Sequence, residues 1–315
     1  MKRKSIFLII TIFTLIVFSA CDKKEIVKED NEITPLFYKI SDKNNTTIYL
    51  LGSIHAADDT IYPLNDTIMN SFNDSDYLAV EVDTLSLQNN FDLSLKLAEK
   101  MMYNDSTTIK NHIGDELYNK MVNFLKEKKS YSSLYDNYKP VFFESLFENL
   151  IINDAMLKSE SGIDTYFLSL ASENNKKILE VESAEFQYNL LLNTPLELDK
   201  IMIEEYIDNY DLNVSQMKDL YELWKKGDKE QLENILINSE SQNVTEEEKK
   251  LMENYNKSLI IDRNYGMANV LENYFEKKQN VFCVVGLGHV IGDEGIINLL
   301  QKRGYDVVQL NWKFI

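Results

Sequence analysis

Two four-residue stretches repeat one pattern near opposite ends of the chain. Gly52-Ser53-Ile54-His55 follows the apolar run 48–51, and Gly286-Leu287-Gly288-His289 follows the apolar run 281–285. The chain has only 3 histidines, and two of them occupy these matching settings. Each apolar run reads as a strand that ends at a glycine and presents an imidazole three residues on. Gly52 and Gly286 would let the backbone turn sharply and come close to a ligand. A third group has similar placement: Glu81 follows four apolar residues, at or near the end of a strand. A buried carboxylate without a partner is costly, so Glu81 needs a metal or an arginine beside it. In open α/β sheets ligands bind beyond the carboxyl ends of the strands, where His55, Glu81 and His289 all fall. Two imidazoles and one carboxylate are a donor set for a catalytic divalent metal. Such a site leaves a position for a water, which the metal acidifies into a nucleophile. Two other readings compete: structural histidines with no shared site, and a metal-free enzyme with one histidine as general base. Arg263, in Asp262-Arg263-Asn264 inside a long helical pattern, could hold a substrate carboxylate or carbonyl or orient Glu81, the competing reading being a cation on the helix surface. His112, in a polar stretch before a helix, reads as an exposed loop residue.

These residues need strands to carry them. Residues 36–40 and 46–51 read as a hairpin across a turn cluster, and 77–83 as a strand buried on both faces. A short strand is expected at 177–181, a deeply apolar one at 281–285 and a closing one at 307–310. Between about 85 and 280 helical spacing dominates, with segments at 115–128, 141–157, 163–171, 196–210, 214–226 and 229–237. Thr245 with Glu248 matches a capping box, after which one long helix is expected as far as Phe275. Pro140 and Pro195 are placed to start helices, and Gly304 to cap one over 293–302. The expected fold class is α/β: a mixed, largely central β-sheet built from N- and C-terminal strands, flanked and capped by a long helical insertion.

Composition agrees. With 44% hydrophobic and 27% charged residues the chain is globular rather than disordered, and only 10 glycines and 4 prolines favour long helices over a β-sandwich. The net charge of −18 argues against nucleic acid as a partner. Cys283 lies within an apolar strand and reads as a small core residue. The first residues are of another kind. A basic start, Met1-Lys2-Arg3-Lys4, precedes the apolar run 6–18 and then Ser19-Ala20-Cys21. This is the pattern of a signal peptide over 1–20, too short in its apolar core to span a membrane. Phe18-Ser19-Ala20-Cys21 resembles a bacterial lipobox, with phenylalanine where leucine is usual. It implies acylation of Cys21, a charged tether over 21–34, and a single domain over 35–315, held at the cell membrane and facing outside the cytoplasm.

Taken in order, several stretches resemble the TraB/PrgY/GumN family, which includes the Tiki proteases. They are Tyr49 to His55 with Tyr62-Pro63-Leu64, Leu78 to Asp83, Gly162 to Phe167, Leu179 to Gln187, Asp262-Arg263-Asn264 with Met267, and Val285 to His289 with Gly292, Gly295, Leu299 and Gly304-Tyr305. The resemblance implies an α/β fold related to erythromycin-esterase and ChaN-like proteins. It implies a divalent metal (manganese, cobalt or zinc) and a peptide or protein substrate. His55, Glu81 and His289 would bind the metal or activate water. Arg263 would stabilise an oxyanion with Asn264 in support, and Glu182 would be a second carboxylate. The alternative within the same resemblance is a lipoprotein that sequesters a peptide or haem without turnover.

Overall fold

The structure is a computed structural model that describes residues 33–237 and 245–310. The expected signal peptide and Cys21 lie outside the described residues. Of the segment read as a tether, Thr34 is tied down: its N–H donates to the carbonyl of Lys225 at 2.7 Å.

Six strands form one mixed sheet in the order β4-β3-β5-β2-β1-β6. They are β1 (Phe37–Ser41), β2 (Thr47–Ser53), β3 (Tyr77–Val80), β4 (Lys177–Glu180), β5 (Val281–Gly286) and β6 (Asp306–Gln309). β1 and β2 are the expected hairpin, turned by Asp42, whose carboxylate accepts from the N–H groups of Asn44 and Thr46. The four strands that carry the site, β2, β5, β3 and β4, run parallel. β5 lies in their middle and every residue in it is buried, which is why it reads as an uninterrupted apolar run. β6 pairs antiparallel with β1 at the far edge.

Register puts the two sequence motifs side by side. Gly52 pairs with Val285 and Ser53 with Gly286, so both strands end at the same level. β3 ends at Val80, opposite Val284, so Glu81 emerges beside them. Parallel strands need long crossovers, and the helical insertion between β3 and β5 supplies them, with β4 added on the way. Within the insertion Pro140 opens a helix at its first position and Pro195 caps another. Thr245 and Glu248 form the expected capping box. The long helix beyond it is broken, however. It runs as α-helix over Glu246–Asn256, as π-helix over Lys257–Ile261, and as α-helix again over Asp262–Glu276. Two smaller expectations also shift. The helix expected over 293–302 is Ile296–Lys302, and His112 sits in the short helix Ile109–Ile113. There its ring stacks on Tyr103 at 4.1 Å and Nε2 bonds Thr107 at 2.8 Å, contacts the polar sequence around it did not reveal. Among the described residues no helix is long and apolar enough to cross a membrane.

The core beneath the site is aromatic. Phe282 on β5 is fully buried and meets Phe37, Phe72 and Phe167 at centroid distances of 5.8, 5.6 and 4.7 Å. These rings join the hairpin and two flanking helices to the central strand. Phe282→Ala should therefore cost about 3–5 kcal/mol of stability, read as a lower urea midpoint at unchanged slope.

Candidate active site

The site is the rim where β2, β3 and β5 end. At its centre is the bare face of Gly286. A Cβ built there would stand 3.1 Å from Glu81 Oε1, 3.3 Å from His55 Nε2 and 3.8 Å from His289 Cδ2. Neither Gly52 nor Gly286 takes a positive φ. Both are needed for space rather than for a turn. A Cβ on Gly52 would meet Leu287 Cδ1 at 3.0 Å, in the short helix Leu287–Val290 that carries His289. The first motif's glycine makes room for the second motif's helix.

Glu81 is held by three donors. Oε1 accepts from the Gly286 N–H at 2.7 Å, while Oε2 accepts from Arg263 Nη2 at 2.7 Å and from Gln187 Nε2 at 3.0 Å. Burial alone would push the carboxyl up. The neighbouring His289, Arg263 and His55 and the Gly286 amide override it and hold the group at about 2.

Arg263 is just as confined. Its Nε and Nη2 donate to Glu182 at 2.7–3.0 Å, Nη2 donates to Glu81, and Nη1 donates to the carbonyl of Leu259 at 3.1 Å. Leu259 lies in the π-helical turn, where the widened backbone presents its carbonyl to the guanidinium. The arginine side chain is only 2% exposed. Its fork is engaged by two carboxylates and a carbonyl, and its Nη2 holds Glu81 in place. Glu182 sits where it does because the chain after β4 continues alongside the chain after β3: its N–H donates to the Glu81 carbonyl at 2.9 Å. Gln187 Nε2 reaches Glu182 as well, at 2.8 Å.

Each imidazole is anchored through Nδ1. In His289, Nδ1 lies 2.6 Å from Asn264 Oδ1. The amide of Asn264 has a fixed orientation, because Nδ2 donates to the Glu294 carbonyl at 2.8 Å. Its Oδ1 therefore accepts, His289 Nδ1 carries the proton, and Nε2 is left as a lone pair. Burial and the Arg263 charge drive the His289 pKa down to about 3, so the ring is neutral. In His55, Nδ1 lies 2.9 Å from Asp164 Oδ2. Burial opposes a charge here too, but Asp164 and then Glu81 outweigh it and raise the group to about 9. Asp164 is itself steadied by Ser53 Oγ at 3.0 Å. The helix that carries it, Ile163–Glu173, starts against His55: a Cβ on Gly162 would collide with the His55 carbonyl.

The predicted site residues His55, Glu81, His289, Arg263, Asn264 and Glu182 thus come together. Asn264 supports His289 rather than Arg263. Asp164 and Gln187 were not singled out from sequence as site residues. The one available signal was their position in Gly162-Ile163-Asp164 and at the end of Leu179 to Gln187, which spacing alone does not connect to His55 or Glu81. As donors, two imidazole nitrogens and a carboxylate suit a divalent ion. Glu81 Oε1 lies 3.9 Å from His289 Nε2, and among the described residues no three His, Cys, Asp or Glu side chains are grouped to hold a metal.

The profile of the TraB/PrgY/gumN family matches residues 36–309, which takes in every one of these residues. The chain belongs to that family. Its relatives include "Uncharacterized protein YbaP" of Escherichia coli K12, 22% identical over 200 residues, or 64% of this chain and 72% of that protein. "Metalloprotease TIKI homolog" of Nematostella vectensis is 25% identical over 199 residues, 55% of this chain and 41% of that protein. The homologue of the same name in Amphimedon queenslandica is 23% identical over 189 residues, 55% of this chain and 37% of that protein. The chain thus spans less than half the length of these two relatives. No solved structure matches it.

Two outcomes test the site's construction. Arg263→Met leaves two buried carboxylates facing each other and should cost about 3–5 kcal/mol. Adding Glu182→Gln should recover part of that loss, a coupling readable in a double-mutant cycle by urea unfolding. The second test concerns acid. Glu81 titrates lower in the folded chain than its ordinary 4.5, so its share of stability is present above pH 4.5 and is lost as pH falls towards 2. Glu81→Gln should flatten that acid limb of the stability curve.

Proposed function

We propose that this chain is a hydrolase that cleaves peptide bonds in a peptide or protein substrate, working outside the cytoplasm on a membrane tether at Cys21. The observation that carries the reading is the convergence of two imidazoles and one carboxylate on the bare face of Gly286. Their protonation states differ, as an acid–base site requires. His55 is a cation at neutral pH, with Nε2 free to donate. It would hold the carbonyl oxygen of the scissile bond and stabilise the charge that develops there. His289 Nε2 and Glu81 Oε1 are acceptors 3.9 Å apart and would orient an attacking water between them. His289 Nε2 would take the proton that the water loses on attack, His55 would give its Nε2 proton to the departing amine as the C–N bond breaks, and passage of the first proton to His55 would reset the site. The N-terminal pattern of basic start, apolar run and Ser19-Ala20-Cys21 supports the location.

A second reading gives the same residues a metal. It is favoured by the anchoring of both rings through Nδ1, which leaves each Nε2 for an ion and resembles the outer hydrogen bonds of metal-bound histidines. Two relatives also carry the name metalloprotease. His55, Glu81 and His289 would hold manganese, cobalt or zinc, and the ion when bound would supply a water acidified to attack at neutral pH.

A peptide library incubated with the purified chain decides between them. Cleavage should fall by at least about 100-fold in His55→Ala and in His289→Ala. If exhaustive chelation abolishes cleavage and added Mn²⁺ or Co²⁺ restores it, the metal reading holds. Cleavage that survives chelation leaves the metal-free route. No cleavage under either condition sinks both.

A further inference from the structure

The two ends of the sheet differ in polarity. At the end away from the site, loops lead into β2, β3, β4 and β5. They are Asp42 to Thr46, Ser75-Asp76, Asn174 to Lys176 and Lys277 to Asn280, without one apolar residue. At the site end, apolar side chains stand in water. Met156 is 82% exposed, Phe186 48%, Ile237 47% and Tyr265 43%. Each is tied to the rim by a neighbour. Lys158, two residues after Met156, bridges to Ala57 just beyond His55. Phe186 precedes Gln187, which donates to Glu81. Tyr265 follows Asn264, which holds His289. Ile237 lies against Gly292, three residues after His289: a Cβ there would stand 2.6 Å from Ile237 Cδ1. Exposed apolar side chains that stand singly on the insertion, such as Leu134 and Leu212, are ordinary. Four around one rim, with none in the loops at the opposite end, mark a surface that meets an apolar phase.

The chain also enters the fold at that end. β1 runs against β2, so Leu36 lies level with the end of β2, and its carbonyl accepts from the Gly52 N–H at 3.1 Å. Just before it the backbone is clamped. The Thr34 N–H donates to the Lys225 carbonyl at 2.7 Å, and Asn65 Nδ2 donates to the Ile33 carbonyl at 2.8 Å. Gly227 leaves the space that the Thr34 carbonyl fills. Whatever precedes Ile33 therefore joins the domain on the site side. Residues 21–32 span at most about 40 Å when fully extended, so a chain held at Cys21 is held by its site end.

We propose that the rim is a membrane-docking surface. Met156, Phe186, Ile237 and Tyr265 meet the lipid surface to which the tether holds the chain, and the site works on peptide segments lying at that surface. The proposal rests on the hydrolase reading and the tether at Cys21 for its use, and on the described residues for its direction. Lipid is favoured over an apolar peptide as the occupant, because the four side chains stand on separate elements around the site and the chain joins the domain among them. With a net charge of −18 the chain gains nothing from anionic lipid, so the contact is apolar.

The full-length chain in phosphatidylcholine vesicles tests the docking. An environment-sensitive fluorophore is attached in Met156→Cys and in Ile237→Cys. Lys43→Cys, in the turn at the opposite end of the sheet, is the reference; the native Cys283 is buried in β5. Doxyl-labelled phosphatidylcholine should quench both rim labels at least fivefold more strongly than the label at Lys43. Equal quenching at the three positions, or a chain that does not float with the vesicles, overturns the proposal. The second arm offers one cleavable peptide in two forms, free and N-terminally palmitoylated. Met156→Ser combined with Ile237→Ser should slow cleavage of the palmitoylated form at least fivefold and leave the free form unchanged. An equal effect on the two forms, or none on either, overturns the docking while the hydrolase reading stands. Quenching confined to the rim with neither form cleaved sustains the docking and removes the hydrolase reading instead.

Discussion

The structure depends on one buried ion cluster. Arg263 bridges Glu81 and Glu182 at 2.7 Å, with the guanidinium and both carboxylates largely shut off from water. Three charges in such a place are tolerable only when each is matched and hydrogen-bonded. Meeting that condition fixes several elements at once. Glu81 extends β3, Glu182 extends β4, and the Gly286 amide ends β5. Arg263 reaches them from a helix whose preceding turn opens to π geometry and offers the Leu259 carbonyl. The cluster joins strands on one side of the sheet to the helix that covers their ends.

Around this fixed carboxylate the two imidazoles are set by different partners. Asp164 gives His55 a negative neighbour and makes it cationic. Asn264 gives His289 a neutral neighbour, and Arg263 and burial keep it uncharged. The same side chain, after the same glycine-led motif, is thereby placed in two opposite protonation states. The difference comes from the second layer of residues, and it is what lets one ring donate while the other accepts.

Much of the sheet was legible because buried parallel strands must be apolar on both faces. Residues 281–285 and 77–80 could hardly read as anything else. The matched glycine–histidine spacing was legible for a related reason: each glycine keeps a Cβ out of a crowded strand end, and that crowding comes from the partner motif. The broken helix was less visible. Residues 246–275 keep a helical pattern through the π turn, and one added residue per turn leaves little trace in hydrophobic spacing. Arg263 illustrates the same limit. Its type and position suggested a substrate contact or a partner for Glu81, and only the folded positions of Glu81, Glu182 and Leu259 show the pairing with Glu81.

By itself the sequence determined which residues could do chemistry, that they stand at strand ends, and that a helical insertion separates them. Those are local properties, set by side-chain type, by the two-residue period of strands and by the glycines that admit a close approach. Tertiary structure alone decided the register that sets Ser53 beside Gly286, the pairing of Asp164 with His55 and Asn264 with His289, and the closure of Arg263 between two acids. Protonation and orientation depend on neighbours tens to hundreds of residues away along the chain, and no local pattern encodes a distance that only folding closes.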